Sequence, residues 1–430
     1  MDSAKGTQHE VDASHETAGA GSRQRIGAKQ ALFHAAFVTG VARDAAPVVR
    51  RFRHLAAAAF DWYAGEAHAR RVRRLARFYP AFARGRAVAL ACSRGAEAAS
   101  EGCGRLAQVA SMSRLIGHGV RPTDWHRLAL HRVDPALRGH VVNYFEGAIV
   151  QKFIHRAAPM AEVDDKTRLA ATARAAGLRV PPILATVSPE TEVDALAAAL
   201  VPSDLFAKRT DFGWGIGALR FVHESGDGAQ AAWIAGDGAR LDRRAVAERL
   251  VEASRTGPML VQPRLRNGGS VVALTPGGLA TLRIVTIRAR PKAEPELLGA
   301  VLRMPVAKDA ITDNFASGGV AAPILDARGT LGSGATKRSF TARLSTHPAT
   351  GAPIEGAVID EFPDALLVAR AAHACFPWLH SVGWDIAITD DGPTLIEGNI
   401  AWCPELMQQV SGKPLLAGIY GDACSSIETA

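Results

Sequence analysis

The stretch WDIAITDDGPTLIEGN, residues 384–399, decides how this chain is read. Two apolar, β-prone runs flank Asp390-Asp391-Gly392, a strong hairpin signal. With a three-residue loop from Asp390 to Gly392, Thr389 faces Pro393 and Asp385 stands directly opposite Glu397; a two-residue loop makes that pair only diagonal. Strand side chains alternate with a period of two, so Asn399 shares the face of Glu397. Like charges opposed across a ladder destabilise a bare sheet, and this pair therefore wants a cation. Asp, Glu and Asn oxygens suit hard Mg²⁺ or Mn²⁺ that also holds phosphate oxygens. A solvated surface hairpin is the competing reading.

The chain has 430 residues, more than one hydrophobic core holds, so two or three folding units are expected. Its formal net charge of +8 is unevenly placed. Residues 1–150 carry 22 Lys and Arg against 12 Asp and Glu, whereas residues 151–430 carry 28 against 30. The basic excess in the first third admits an anionic partner such as a membrane surface, and solubility alone also explains it. The five cysteines, Cys92, Cys103, Cys375, Cys403 and Cys424, are scattered and never spaced as C-x-x-C, which argues against a disulfide framework or a zinc site. The polar start MDSAKGTQHEVDASHETAGAGSRQR lacks the basic-then-apolar pattern of a signal peptide, and no apolar run is long enough to span a bilayer. A reducing cytoplasm is the expected setting.

Residues 1–27 read as a disordered tail, without periodicity. From 28 to 155 apolar residues recur at helical spacing among many arginines, clearest in AKQALFHAAFVTGVARDAA and AHARRVRRLARFYPAFARG. The cluster Arg70, Arg71, Arg73, Arg74 and Arg77 spreads over several helix faces, a solvated surface or a basic docking face. After Pro159 helices and strands alternate. Asp164, Asp165 and Lys166 open a helix, DDKTRLAATARAAG, that ends at Gly177 before LRVPPILATV. SDLFAKRT and ALRFVHE, then GPMLVQPRL, LATLRIVTIRAR and ELLGAVLRMP, supply strands before the terminal hairpin.

The loop DFGWGIG, residues 211–217, places Gly213, Gly215 and Gly217 between two strands. A dinucleotide fingerprint needs a strand followed by a helix, so this loop is a phosphate flap or a mobile hairpin tip. Lys208 just before it sets a positive charge beside any bound anion. Arg283 and Arg303 sit in apolar strand-like runs, where a charged side chain must be paired or face a cleft. DNFASGGVAAPI brings Asn314, Ser317, Gly318 and Gly319 into a second small-residue loop. Together these elements describe a site for a metal-bound polyphosphate.

In this order the elements resemble the ATP-grasp superfamily. The likeness rests on the Lys166 helix followed by Gly177-x-x-Val-Pro181, Lys208 before the glycine flap, LVQPRL in the place of a lobe-connecting hinge, and Asp385 with Glu397-x-Asn399. It is nearest to the sugar-transfer-associated ATP-grasp group, related to α-L-glutamate-ligase-like proteins, through Asp313-Asn-Phe-Ala-Ser-Gly-Gly319 and GHGVRPTDWHRLAL at 117–130. It covers roughly residues 110–415. The resemblance implies an α+β fold: an ATP-grasp domain of two α+β lobes gripping ATP over residues 156–420, with a hinge near 261–265, preceded by the α-helical region 28–155 and followed by a C-terminal tail 421–430.

The same resemblance implies phosphate binding by Lys166 and Lys208, backbone contacts from Gly213, Gly215 and Gly217 and from the Asn314 loop, and adenine at Gln262, Pro263 and Leu265. Arg283 and Arg303 would be catalytic, stabilising the transferring phosphoryl or acyl group, and Asp385, Glu397 and Asn399 would hold Mg²⁺ or Mn²⁺. Gln262 stands where many relatives carry a carboxylate, and Trp214 interrupts a loop that is often all small. The implied activity is an ATP- and Mg²⁺-dependent carboxylate–amine ligase working through an acyl phosphate, joining an amino acid to a sugar or cell-surface polysaccharide precursor. A small-molecule kinase and a non-catalytic nucleotide-binding scaffold are the alternatives. Expected partners are small carboxylate and amine substrates, with peripheral contact to an anionic membrane or glycan carrier through the basic helices, and not nucleic acid. Residues 1–25 are expected to be dispensable for ATP binding, whereas removal of the helical section to about residue 110 is expected to affect solubility, partner binding or membrane association.

Overall fold

The computed structural model of the chain describes residues 41–210, 217–226, 230–290, 292–308, 315, 318–337 and 339–427. The expected tail 1–27, the start of the expected helical region at 28–40, and Gly213, Trp214, Gly215, Asn314 and Ser317 lie outside the described residues.

The basic first third is helical: α1 Pro47–Ala64, α2 Glu66–Ala76, α3 Tyr79–Arg94, α4 Arg105–Ile116, α5 Pro122–Arg127 and α6 Tyr144–Ile154. Pro47 opens α1 at a position whose N–H would be an orphan donor, and Asn143 caps α6 by accepting the Glu146 N–H at 3.0 Å. Arg53 of α1 pairs with Glu146 of α6, both buried, and donates to the Val141 carbonyl at 2.8 Å. Removing either partner would leave a buried unpaired charge, so this pair fixes how α1 meets α6.

Next, α7 Lys166–Ala175 starts where the sequence pattern sets it, capped by Asp165, whose Oδ1 accepts the N–H groups of Thr167 at 2.8 Å and Arg168 at 3.1 Å. It is followed by α8 Val193–Ala199 and α9 Arg243–Ser254. They accompany strands β1 Ala185–Val187, β2 Leu205–Arg209, β3 Leu219–Ser225, β4 Ala232–Ala235, β5 Arg240–Asp242 and β6 Met259–Pro263. These form an antiparallel sheet in the order β1-β6-β2-β3-β4-β5. Leu205, Phe221, Trp233, Val246 and Leu250 share its core, so α9 packs on this sheet.

A second antiparallel sheet holds β7 Thr281–Ile287, β8 Glu296–Met304, β9 Val320–Pro323, β10 Gly334–Thr336, β11 Ser339–Leu344, β12 Ser381–Thr389 and β13 Gly392–Asn399, in the order β11-β10-β9-β8-β7-β12-β13. The chain closes with α10 Phe362–Ala374, α11 Pro404–Ser411 and α12 Ile419–Ser425. On one face Leu282, Ile284 and Trp384 pack with Phe362, Ala365 and Ala369 of α10. On the other, Val285, Ile287 and Val301 share one cluster with Phe52 of α1, Val150 of α6, Met407 of α11 and Tyr420 of α12. With both faces covered, β12 is buried from Ser381 through Ile388, which is why it reads as a continuous apolar run rather than an alternating one.

That second cluster corrects two expectations. Residues 421–430 were expected as a tail, yet Ile419–Ser425 form a helix that buries Tyr420, Ala423 and Cys424. Removal of the helical section was expected to affect solubility, partner binding or membrane association, yet α1 and α6 share a core cluster with Val285, Ile287 and Val301 of this sheet, so removing them would also expose the apolar side chains they bury.

The hairpin also differs from the expected three-residue loop. Its turn has two residues, because Thr389 pairs with Gly392. Continuing that register would pair Asp385 with Ile396 and turn Glu397 to the opposite face of the sheet. Between the pairs Ile386–Leu395 and Asp385–Glu397, however, β13 carries one extra residue, Ile396, and this bulge brings the two carboxylates opposite each other.

Candidate active site

The two sheets bring four cationic side chains and two carboxylates together. Arg283 of β7 is the ladder partner of Asp385 of β12; its Nε donates to Oδ1 and its Nη2 to Oδ2 at 3.0 Å. From β8, Arg303 Nη2 donates to the same Oδ2 at 2.9 Å and to Thr281 Oγ1 at 2.6 Å. Burial opposes ionisation of Asp385, but the guanidiniums outweigh it and hold the carboxyl below its usual range. The strand arginines are thus paired, both with Asp385.

Glu397, opposite Asp385, lies 3.9 Å from Lys166 Nζ at the first turn of α7. Asn399 Nδ2 donates to the Gly383 carbonyl at 3.3 Å and reaches Glu397 Oε1 at 3.5 Å. Lys208, on β2, comes from the other sheet. Burial lowers its pKa, Glu397 opposes that fall and Lys166 adds to it. Lys166 and Lys208 line one narrow cleft with Gln262 of β6 and an apolar wall of Leu169, Ala170, Val180, Pro181, Leu395 and Ile396. A polar end beside flat apolar walls suits a heterocyclic base joined to an anion. The free space there is about 10 Å³, one water at most, so a nucleotide enters only if the walls separate.

Pro263 ends β6, and Leu265 lies in a neighbouring cleft of about 290 Å³ with Arg179, Arg264 and Arg266. The two clefts share Val180 and Pro181. Gly217 has φ +75°, the left-handed region that favours glycine. Sequence reasoning did not find Thr281, which orients Arg303, nor Ile396, which both bulges β13 and lines the cleft. The Val180-Pro-Pro run was a visible signal for the wall but was read only as the start of a strand.

Asp385, Glu397 and Asn399 offer oxygen donors of the type that Mg²⁺ or Mn²⁺ takes. Three N–H groups already donate to the Asp385 oxygens, of about four lone-pair sites, so Glu397 and Asn399 have the greater capacity for a cation. Among the described residues no group of three or more His, Cys, Asp or Glu side chains that could hold a metal ion assembles.

A clasp of this kind, with lysines from one side and a carboxylate–arginine ladder from the other, is what a two-lobed phosphate-gripping fold presents. The chain matches the family model described as sugar-transfer associated ATP-grasp over residues 150–419, and it belongs to that family. Solved structures with some likeness include N5-carboxyaminoimidazole ribonucleotide synthetase as an ADP complex, at 11% identity over 59% of this chain and 50% of that one, TM-score 0.34. The D-alanine-D-alanine ligase of Coxiella burnetii shows 13% identity over 61% and 58%, TM-score 0.34. VanG D-Ala:D-Ser ligase of Enterococcus faecalis shows 12% over 60% and 61%, TM-score 0.34. This chain therefore spans less than two thirds of those proteins' lengths, and likenesses this weak carry no argument about its chemistry. No curated protein matches it.

Proposed function

We propose that this protein is an ATP- and Mg²⁺-dependent ligase that joins a carboxylate to an amine. The observation that supports this reading most is the convergence of Arg283 and Arg303 on Asp385, opposite Glu397 and within reach of the two cleft lysines. Such a cluster is net positive and partly buried, where cations stabilise phosphoryl charge more than they do in water.

In the proposed reaction a substrate carboxylate oxygen bonds to the γ-phosphorus of ATP while the bond to the β-phosphate oxygen breaks, giving an acyl phosphate and ADP. The amine nitrogen then attacks the acyl carbon, phosphate leaves, and the nitrogen loses its proton to solvent. Lys166 and Lys208 hold the phosphates, while Arg283 and Arg303 orient the transferring group or the acyl oxygen. A divalent cation on Asp385, Glu397 and Asn399 would neutralise phosphate charge. No protein nucleophile is required, in accord with cysteines that burial keeps protonated: the Cys403 thiol is pushed up to about 11 and Cys424 to about 12.

The family's association with sugar transfer supports a sugar or polysaccharide precursor as one substrate and a cytoplasmic site as the setting. Among the described residues no helix is long and apolar enough to cross a membrane. The test is ADP and phosphate release across pooled carboxylates and amines. Release that needs both pools is the expected result. Release that needs no amine would point to a kinase, and ATP binding without release to a nucleotide-binding scaffold.

A further inference from the structure

Helix α3 is apolar on two sides. Its inner face buries Tyr79, Ala83, Ala87, Leu90 and Ala91. Phe78, Ala81, Phe82, Val88, Ala89 and Cys92 fall within an arc of about 120° on the opposite side, at 100° per residue, and all are exposed among the described residues. Phe78 is 55% exposed, Phe82 53% and Val88 51%. An amphipathic surface helix turns its polar side to water; this one turns apolar side chains there, which marks an interaction surface.

Charge says what covers it. Arg84 and Arg86 flank the strip, and Arg70, Arg71, Arg73, Arg74 and Arg77 of the preceding α2 segment are also exposed. Arg73 reaches Asp61, and the Arg77 guanidinium lies 4.7 Å from the centre of the Phe78 ring. Residues 67–94 contain eight arginines and no Asp or Glu. Two copies of this face would set like charges against each other, and a polynucleotide backbone offers the aromatic strip no apolar depth. A bilayer with anionic headgroups satisfies both halves, apolar side chains below the headgroups and guanidiniums among them. We infer that α2 and α3 seat the protein on an anionic membrane surface, Phe78, Phe82 and Val88 entering the interface. This does not depend on the ligase reading, and its test uses no substrate.

The full-length chain is sedimented with phosphatidylcholine vesicles with and without phosphatidylglycerol, at low and high salt. Binding to the anionic vesicles alone is expected, weakened by salt because exposed charges are screened beyond a Debye length of about 8 Å. Phe78→Ser with Phe82→Ser keeps every charge and should weaken binding about tenfold or more, since it removes buried apolar surface. Arg70→Gln with Arg74→Gln and Arg84→Gln should weaken binding to the anionic vesicles at low salt and reduce the salt dependence. Three outcomes overturn the inference: no binding to anionic vesicles at low salt, binding that the phenylalanine pair does not alter, or a concentration-dependent dimer that this pair dissolves. Binding that emerges only when residues 1–40 are removed would also overturn it, by showing that the chain covers its own strip.

Discussion

Arg283 and Asp385 face each other across the β7–β12 ladder, and the guanidinium grips both oxygens of the carboxylate. The two are 102 positions apart in sequence, and both are buried. The pair ties two neighbouring strands together and, with Arg303, sets the charge at Asp385.

Breaking it exposes its worth to stability. Arg283→Ala leaves Asp385 buried with one guanidinium instead of two, and a loss of about 3–5 kcal/mol is expected for a buried pair broken on one side. Urea unfolding of the variant measures this. An unchanged midpoint and slope would mean that Arg303 alone neutralises the carboxylate.

Glu397→Gln removes charge but keeps shape. Divalent cation should raise the ATP affinity of the wild-type chain and raise that of the variant much less, while the melting temperature stays close to wild type. Calorimetric titration with and without Mg²⁺ decides it. Equal ATP affinity in all four titrations would refute a metal role for this pair of carboxylates.

Lys208→Ala should weaken ATP more than AMP, by about 1.5–3 kcal/mol, because the lost charge faces the outer phosphates. Burial lowers the Lys208 pKa below its ordinary 10.5, so phosphate binding should fall as pH rises through that lowered value. Stability has the opposite sign. Between the lowered folded value and about 10.4 the unfolded chain binds the proton that the folded chain does not, so this lysine's contribution rises with pH. ATP affinity measured across alkaline pH tests the first claim, and Lys208→Arg, which stays charged, should abolish the fall.

With His380 and His126, His373 is one of the buried histidines that act on the acid side. Its Nε2 lies 3.1 Å from the Leu379 carbonyl and must carry the proton, which leaves Nδ1, at 2.7 Å, to accept from the Thr286 hydroxyl. Trp384 Nε1 donates to that same hydroxyl oxygen at 2.9 Å. Burial in this chain of bonds pushes the imidazole pKa down to about 4. The folded pKa is depressed, so the stability it confers is present above about 6.5 and is lost as pH falls toward about 4, roughly 3 kcal/mol in all. Unfolding free energies at the two ends of that window, for wild type and His373→Gln, should differ less in the variant.

How much of this was legible depended on how local each cause is. The Lys166 helix was readable because Asp165 caps it within three residues, and the hairpin because two apolar, β-prone runs flank Asp390-Asp391-Gly392 in one short stretch. The Arg283–Asp385 pair was not, since nothing in two apolar strands says which becomes the other's neighbour. The Ile396 bulge escaped for the same reason: a ladder defect exists only relative to a partner. Strands such as β4, β9 and β10 are three or four residues long, too short to show alternation. Periodicity marked α1 as having a buried face, but it could not say that the partner of Phe52 would be Tyr420, whose ring centre is 6.2 Å away.

That last contact bears on synthesis. Helix α1 leaves the ribosome early, yet the cluster that covers it is completed by side chains from the far end of the chain. At about 5–20 residues per second, its apolar face waits roughly 20–70 s for Tyr420 to be translated. The packing of α1 is thus completed only by residues translated much later: nascent chains are expected to need protection from aggregation over that interval, and a stop before residue 419 is expected to expose the face of α1 that Tyr420 covers.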